Sequence, residues 1–450
     1  MSEPVFYPRH VESRLVGALD DSPVVLIHGP RQCGKTTLAQ YTCTESYLTL
    51  DNGDFLVADD GALLTVETAS ERRDYTYVSL DDAVARDGAR TDPAGFVADL
   101  PEHVILDEIQ RAPELFEAIK VAVDRRRAPG RFLLTGSTNV LLLPSLSESL
   151  AGRMEIVRLH PLAQRELAAG APRADVSRPA EFLDRLFDTG FGTQRAERLG
   201  EDLLERVVAG GFPPALARPT ARRRATWQRD YVETLVQRDV RDMTRIAALD
   251  ALPRLLAAAA TQTARLFNLA DLAAPFQVSR PTIGAYVELL ERLFLLERLP
   301  AWHSNRLRRH VKRPKLHFGD TGLAAALLGV NAAALQAGRT LLGQLLETFV
   351  YQELRRQASW HEALLRFCHF RDRDGAEVDI VIERAAGAVA GVEIKAAATV
   401  RPADFRGLRK LAAAAGDRFA QGVVLYDGEV SASFGDRLYA IPIRRLWETP

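Results

Sequence analysis

Three stretches of the chain are apolar without interruption: Val24-Val25-Leu26-Ile27, Val104-Ile105-Leu106 and Phe132-Leu133-Leu134. Short runs with no polar alternation fit strands buried on both faces of a parallel sheet, and polar residues follow each of them, at the strand ends where ligands gather in such sheets. Further along the period changes. Trp227, Tyr231, Leu235 and Val236 recur at helical spacing and predict one long helix over 227–246, whose many arginines face acids and read as a salt-bridged flank. Residues 269–274 and 279–290 read as two short helices joined by a turn through Gln277-Val278, with Ser279 as cap and Pro281 in the first turn of the second, and 294–299 reads as a strand. Leu342, Leu345, Leu346, Phe349, Val350 and Leu354 form the stripe of an amphipathic helix over 341–357, with Glu347 at its border. In 377–383 the apolar residues fall on even positions, and a second strand, 391–395, follows the turn-like segment 384–388. A hairpin centred near Ala386 sets Asp379 opposite Glu393, and period-two geometry puts Lys395 on the face of Glu393.

The first apolar run leads into Gly29-Pro30-Arg31-Gln32-Cys33-Gly34-Lys35-Thr36, followed by Thr37, a complete G-x-x-x-x-G-K-T between a strand and a helix. Glycines let successive backbone N–H groups curl around phosphates while the helix aims its positive end at them, so residues 29–37 are expected to bind ATP. Lys35 would reach the β- and γ-phosphates and Thr36 would ligate Mg²⁺. The second run ends in Asp107-Glu108, the form of a Walker B strand: Asp107 would hold the Mg²⁺ shell and Glu108 would orient or deprotonate the attacking water. Asp-Glu at this point also suits a plain helix start. The third run ends in Thr135-Gly136-Ser137-Thr138-Asn139, where Ser137, with Asn139 second, would sense the γ-phosphate, or the hydroxyls would only cap a helix. Arg153 is a candidate for the cation that neutralises transition-state charge, in cis or toward a neighbouring subunit; the second would require an oligomer, which one chain does not prove.

A length of 450 residues allows about three domains. The net charge of −1 advertises no polyanionic partner, so a nucleic-acid surface must be a local patch. The three cysteines, Cys33, Cys43 and Cys368, have no metal-ligand spacing, which argues against zinc and disulfides and fits a reducing compartment. No basic leader and no apolar stretch of about twenty residues is present, and a cytoplasmic protein with no membrane partner is expected.

His28 to Thr37, Tyr77-Val-Ser-Leu-Asp-Asp82, Val104 to Pro113, Leu134 to Ser137 and Ser147 to Arg153 resemble the corresponding blocks of prokaryotic AAA-type ATPases that carry a C-terminal DUF4143 domain. The stretch 44–74 is longer and more acidic than in that pattern and reads as a surface insertion. The resemblance implies an α/β P-loop parallel-sheet ATPase domain, and with the periodicities above the expected organisation is ATPase domain 1–165, helical connector 166–260, winged helix 261–320 and DUF4143-type, restriction-endonuclease-like domain 321–450. Phe318 to Leu323 resembles the opening of the last.

Two readings of the later segments carry chemistry. In a DNA-binding helix-turn-helix, Arg280, Thr282 and Tyr286 would enter the major groove, and the stretch from Arg298 to Lys315, with seven Arg or Lys and no acid, would lie on the phosphate backbone as a wing. Winged helices in ATPases also serve only as lids or subunit contacts. Downstream, Asp379, Glu393 and Lys395, joined by Glu347, have the form of a PD-(D/E)XK nuclease site. Asp379 and Glu393 would bind Mg²⁺ or Mn²⁺, and Lys395 would stabilise developing charge or orient water. The same residues on an edge hairpin can merely keep it soluble. The leading expectation is therefore an ATPase acting on or binding DNA; the alternative is a nucleotide-switched regulatory ATPase whose C-terminal domain binds a protein partner and does not cut.

Overall fold

The computed structural model describes residues 7–43, 75–137, 150–168, 181–243, 251–273, 276, 279–305, 309, 312–385 and 387–448, with backbone only for 238–243 and 251. The insertion at 44–74, Asn139, the Gln277-Val278 turn, Arg306, Arg308 and His310 lie outside them. The chain divides into two compact units, residues 1–162 with 169–174, and residues 163–168 with 175–450.

In the first unit, helix α1 (Glu12–Asp21) leads to β1 (Val24–His28), then α2 (Lys35–Cys43), β2 (Thr76–Ser79), α3 (Ala83–Thr91), α4 (Pro93–Asp99), β3 (Val104–Asp107), α5 (Leu115–Arg125), β4 (Phe132–Gly136) and β5 (Met154–Arg158). The five strands form one parallel sheet in the order β2-β3-β4-β1-β5. The three uninterrupted apolar runs are its interior strands, buried along their whole length, whereas β2 and β5 are partly exposed edges. Each Leu or Ile so buried contributes ~1.5–3 kcal/mol over an exposed one. Because all strands run the same way, His28, Asp107 and Gly136 end at one edge of the sheet. That edge is where crossover connections leave room for a ligand.

The second unit opens with α6 (Gln164–Ala168), α7 (Glu201–Ala209) and the long α8 (Ala221–Met243), which extends six residues N-terminal to the expected start at Trp227. Next come α9 (Ala251–Thr261), β6 (Arg265–Leu266), α10 (Leu269–Ala273), α11 (Arg280–Arg292), β7 (Leu296–Leu299) and β8 (Lys315–Phe318), the strands forming an antiparallel sheet in the order β6-β8-β7. Ser279 caps α11 as its residue type predicts, its side chain accepting the Thr282 N–H at 3.3 Å.

After α12 (Thr321–Leu328) and α13 (Ala332–Ala337), the 22-residue α14 (Arg339–Trp360) precedes β9 (Leu365–Arg371), β10 (Glu377–Arg384), β11 (Val389–Lys395), α15 (Arg406–Ala415), β12 (Phe419–Tyr426), β13 (Ala432–Ser433) and β14 (Leu438–Pro442). The sheet order is β13-β14-β12-β11-β10-β9, antiparallel from β9 to β11 and parallel from β11 through β12 to β14. Ile380 pairs with Val392 and Glu383 with Val389, the register anticipated from the turn length. Helix α15 reaches β10 closely because Gly407 has no side chain; a Cβ there would stand 1.8 Å from the Glu377 carbonyl oxygen.

Helix α14 departs from the amphipathic expectation. Beyond its apolar stripe, Thr348, Gln352, Glu353, Arg356 and Gln357 are buried too, so it is a central helix and not a surface one. Its polar side chains are bonded inside: Gln352 donates to the Phe318 carbonyl at 3.0 Å, Gln357 to that of Leu446 at 2.7 Å, and Arg356 bridges Glu353 and Asp320 at 2.8 and 3.0 Å. A hydropathy stripe sees only the apolar half of such a helix. One apolar core runs from Phe182 to Trp447, taking in α7 to α12, α14 and the larger sheet.

Candidate functional site

At the carboxyl edge of the first unit's sheet, β1 breaks into the loop 29–34 and α2 begins directly at Lys35. Gly29 is required by closeness: a Cβ there would lie 2.1 Å from the Leu159 carbonyl oxygen. Gln32 and Gly34 take positive φ, 60° and 97°, which curls the loop back on itself. Arg9 fastens the loop from outside, donating to the Cys33 carbonyl at 2.8 Å and that of His160 at 2.6 Å. Cys33 is buried beneath it, and burial raises its thiol pKa, so it packs as a small apolar group. Lys35 is buried, its ammonium donating to the carbonyls of Gly29 at 3.2 Å and Pro30 at 2.9 Å.

Among the described residues the donors that hold Asp107 are neutral. Oδ1 accepts from Thr36 Oγ1 at 2.9 Å and from the Thr135 hydroxyl, and Oδ2 accepts from Tyr77 at 2.9 Å. Burial, and next the neighbouring Asp107, push the Tyr77 phenol up to about 12, so it donates and does not compete for charge. Glu108 occupies the left-handed region at φ 57°, its N–H bonded to Thr135 Oγ1 at 3.1 Å. Its carboxylate accepts from Gln110, whose amide also reaches Ser137 Oγ at 2.9 Å. Lys35, Thr36, Asp107, Glu108 and Ser137 therefore converge on one edge. Tyr77, Thr135, Gln110 and Arg9 join them, and sequence reasoning assigned them no role; the hints were that Tyr77, Gln110 and Thr135 sit inside the quoted blocks. These residues fit a triphosphate with a divalent cation: the loop is cleared of a Cβ at Gly29, the lysine rests on exchangeable carbonyls, and Thr36 and Asp107 present hard oxygens side by side.

Arg153 does not join them. It pairs with Asp124 on α5 at 2.6 and 2.9 Å and precedes Met154, which stands beside Val24 at the amino end of the sheet. Four strand residues, ~13 Å at the usual rise, separate it from the loop edge, so it supplies no cation to its own chain's loop.

In the second unit Glu347, Asp379, Glu393 and Lys395 do come together, with an uninvited member among them. Lys315, the last of the basic run, enters from β8 and lies 2.7 Å from Glu347, 3.0 Å from Glu377 and 3.1 Å from Asp379. The other oxygen of Asp379 accepts the Ile394 N–H at 3.0 Å. The β9–β10 register shifts between Val378 and Val381, around Asp379, an irregularity of the kind β-bulges make beside sites. Lys395 pairs with Glu393 at 2.7 Å, and Glu393 Oε2 is buried with no hydrogen-bond partner among the described residues. Burial, then the like charge of Asp379, raise Glu393 to about 8 and Glu347 well above its ordinary value. Asp379 thus meets the Lys315 ammonium where the expected arrangement put a metal between it and Glu393. Among the described residues no group of three or more His, Cys, Asp or Glu is arranged to hold a metal ion.

The basic run also differs from a free wing. Arg298 pairs with Glu291 at 2.5 Å, Arg309 forms a two-pronged, buried pair with Glu383 at 2.7 and 3.1 Å, and Lys312 donates to the Arg371 carbonyl at 3.1 Å. Ala301 bridges to His369, laying the segment against β9. Glu291 lies seven residues before Arg298 and Glu383 lies 74 beyond Arg309, both outside the run, so counting charge within it could not reveal them. Of the expected groove residues, Arg280 is exposed and Thr282 half-buried, but Tyr286 belongs to the core. Among the described residues no helix is long and apolar enough to cross a membrane.

Compared with known proteins, residues 21–168 match the family described as AAA domain, 200–334 a domain of unknown function, DUF8612, and 342–446 the domain of unknown function DUF4143. The chain therefore carries an AAA-type ATPase-like domain and a DUF4143 domain, and the segment anticipated as the DUF4143 opening, 318–323, falls within the DUF8612 match. An uncharacterized protein of Mycobacterium bovis is 29% identical over 445 residues, covering 98% of this chain and 85% of that protein, and one of Mycobacterium tuberculosis matches with the same figures. Among solved structures, the Walker-type ATPase PABY2304 of Pyrococcus abyssi is 17% identical with a TM-score of 0.39, covering 72% of this chain and 96% of that one. The Orc1 protein of Aeropyrum pernix in complex with DNA is 15% identical with a TM-score of 0.28, covering 72% and 93%. At those scores neither likeness decides anything about this chain.

Proposed function

We propose that the protein binds and hydrolyses ATP at residues 29–37 and uses the cycle to control how its second unit binds DNA. The observation that carries the ATP half is the side-by-side placement of Thr36 and Asp107, 2.9 Å apart at the mouth of the glycine loop. Lys35 would exchange its carbonyl partners for the β- and γ-phosphates. Thr36 and Asp107 would hold Mg²⁺, which when bound draws charge from the transferring phosphoryl group. Glu108 would orient the attacking water, and the Gln110 amide, touching both Glu108 and Ser137, would tie the position of that carboxylate to the residue facing the γ-phosphate.

For the output, the helix–strand–helix–helix–strand–strand order from α9 to β8 supports a winged-helix reading with the start of α11, where Arg280 is exposed, toward DNA. The succession of α14, three antiparallel strands, α15 and a parallel strand, with acids on the second and third strands, supports a nuclease-like frame for the C-terminal part. In this reading that part binds and does not cut, and the domains divide at 165/166, 260/261 and 320/321. A second reading, a nucleotide-switched regulatory ATPase that binds a protein partner, is favoured by the internal neutralisation of Arg298, Arg309 and Lys315. Steady-state ATP turnover with and without duplex DNA, beside a shift assay at moderate salt, separates them. Turnover stimulated by DNA that is itself shifted supports the first; turnover indifferent to unshifted DNA supports the second. A chain that turns over no ATP under either condition ends both.

A further inference from the structure

We infer that the Lys315 ammonium takes the place of a divalent cation among Glu347, Glu377 and Asp379, so that this cluster is closed to metal in the natural chain and opens to it when the amine is removed. The inference rests on the nuclease-like reading of the frame only for the idea that a metal belongs there; the geometry stands by itself. Three oxygens from three carboxylates surround Nζ at 2.7, 3.0 and 3.1 Å. Nζ donates hydrogen bonds to Glu347 and Asp379, and Glu377 completes the set as an ion pair. Magnesium takes its oxygens at about 2.0–2.1 Å and calcium at about 2.3–2.6 Å, so the same oxygens cannot serve both cations at once.

Lys315 cannot readily step aside. It sits on β8, the middle strand of its sheet, paired with Leu266 on one side and Leu299 on the other, and its side chain is 3% exposed. Burial alone would strip the amine of its proton, yet Asp379, Glu347 and Glu377 together hold its pKa above the ordinary lysine value. His317, 3.9 Å from Glu347, adds no charge, because burial keeps it far below its ordinary pKa.

The charges close without a metal. Glu347, Glu377, Asp379 and Glu393 face Lys315 and Lys395, with Arg371 3.7 Å from Glu377. A proton shared among the buried carboxyls balances the remainder, and the unpartnered Oε2 of Glu393 is a place for it. With the amine deleted, the same acids would face one another with one cation fewer and an uncommitted buried oxygen beside them. A hard divalent ion relieves that arrangement.

The test titrates Mn²⁺ alone into nucleotide-free full-length protein and follows loss of the free-ion paramagnetic resonance signal. Wild type and Asp379→Asn are expected to bind Mn²⁺ equally, since no wild-type site uses Asp379. Lys315→Met and Lys315→Ala are each expected to gain one site per chain that disappears when Asp379→Asn is added. A wild-type site abolished by Asp379→Asn overturns the inference, as does a folded Lys315→Met protein, with unchanged far-ultraviolet dichroism, that gains none. If both lysine variants fail to fold, the comparison of wild type with Asp379→Asn decides alone. ATP turnover, measured on the same samples, reports on the glycine loop and fails or survives separately.

Discussion

Two buried lysines, Lys35 at the start of α2 and Lys315 at the start of β8, are set apart by their partners. Lys35 leans on two neutral backbone carbonyls, while Asp107 nearby is held by three hydroxyls. Both keep their charge for something else. Lys315 is enclosed by three carboxylates, and Asp379 spends its charge on that lysine. The same residue types make a site ready for an anion and a cation in the first case, and a closed ion cluster in the second. What differs is whether the groups satisfying each charge are themselves charged.

The comparison can be broken most forcefully at Lys35. Lys35→Ala should lower ATP turnover by ~10²–10³-fold, as loss of one preorganised donor does elsewhere. Glu108→Gln should also stop turnover while leaving ATP binding measurable by calorimetry, because that carboxylate faces the water and not the phosphates. A turnover unchanged in both variants would leave the loop with no catalytic part.

The next effect is on stability. Lys315→Met leaves the largely buried Glu347 and Asp379 and the half-buried Glu377 without their cation and should cost ~3–5 kcal/mol in denaturant unfolding of the second unit. Added Mn²⁺ should restore part of it. A variant as stable as wild type would mean that the cluster is open to water.

A smaller effect comes from pH. Glu393 keeps its proton in the folded chain up to about 8, against an ordinary value of 4.5, so the folded state binds the extra proton between these values. Its contribution is fully present below 4.5 and is lost as pH rises through 8, which predicts a fall of about 1 kcal/mol in unfolding free energy between pH 7 and 8.5. Glu393→Gln should flatten that slope, and a wild-type stability rising over this interval would contradict the assignment. Smallest of all, Arg153→Ala should leave turnover unchanged, since its guanidinium is at the far end of the sheet with Asp124. A loss of turnover that depends on protein concentration would instead show the residue serving a neighbouring chain.

Much of this was legible in the sequence where the physics is local. The three apolar runs became interior strands because burial on both faces tolerates no alternation. Ser279 capped its helix, and the spacing between Asp379 and Glu393 fixed their register. What was not legible is long-range pairing of charge. Lys315 lies 32 residues from Glu347 and 64 from Asp379, so a basic run that looked unbalanced finds its acids in the folded unit. Helix α14 shows the same limit: its apolar stripe says nothing of Glu353 and Arg356, which meet Asp320 and the Gln164 N–H from far along the chain. For Arg153 only the cis alternative is set aside: the sequence places it near a block of phosphate-handling residues, while strand direction carries it to the opposite edge of its own sheet.

The central claim, that residues 29–37 grip a triphosphate, is tested most directly by calorimetric titration of ATP with Mg²⁺ into the full-length chain and its Lys35→Ala variant. One saturable site in the first and none in the second is the expected result. No heat of association in the wild type, or equal binding by both, would contradict it.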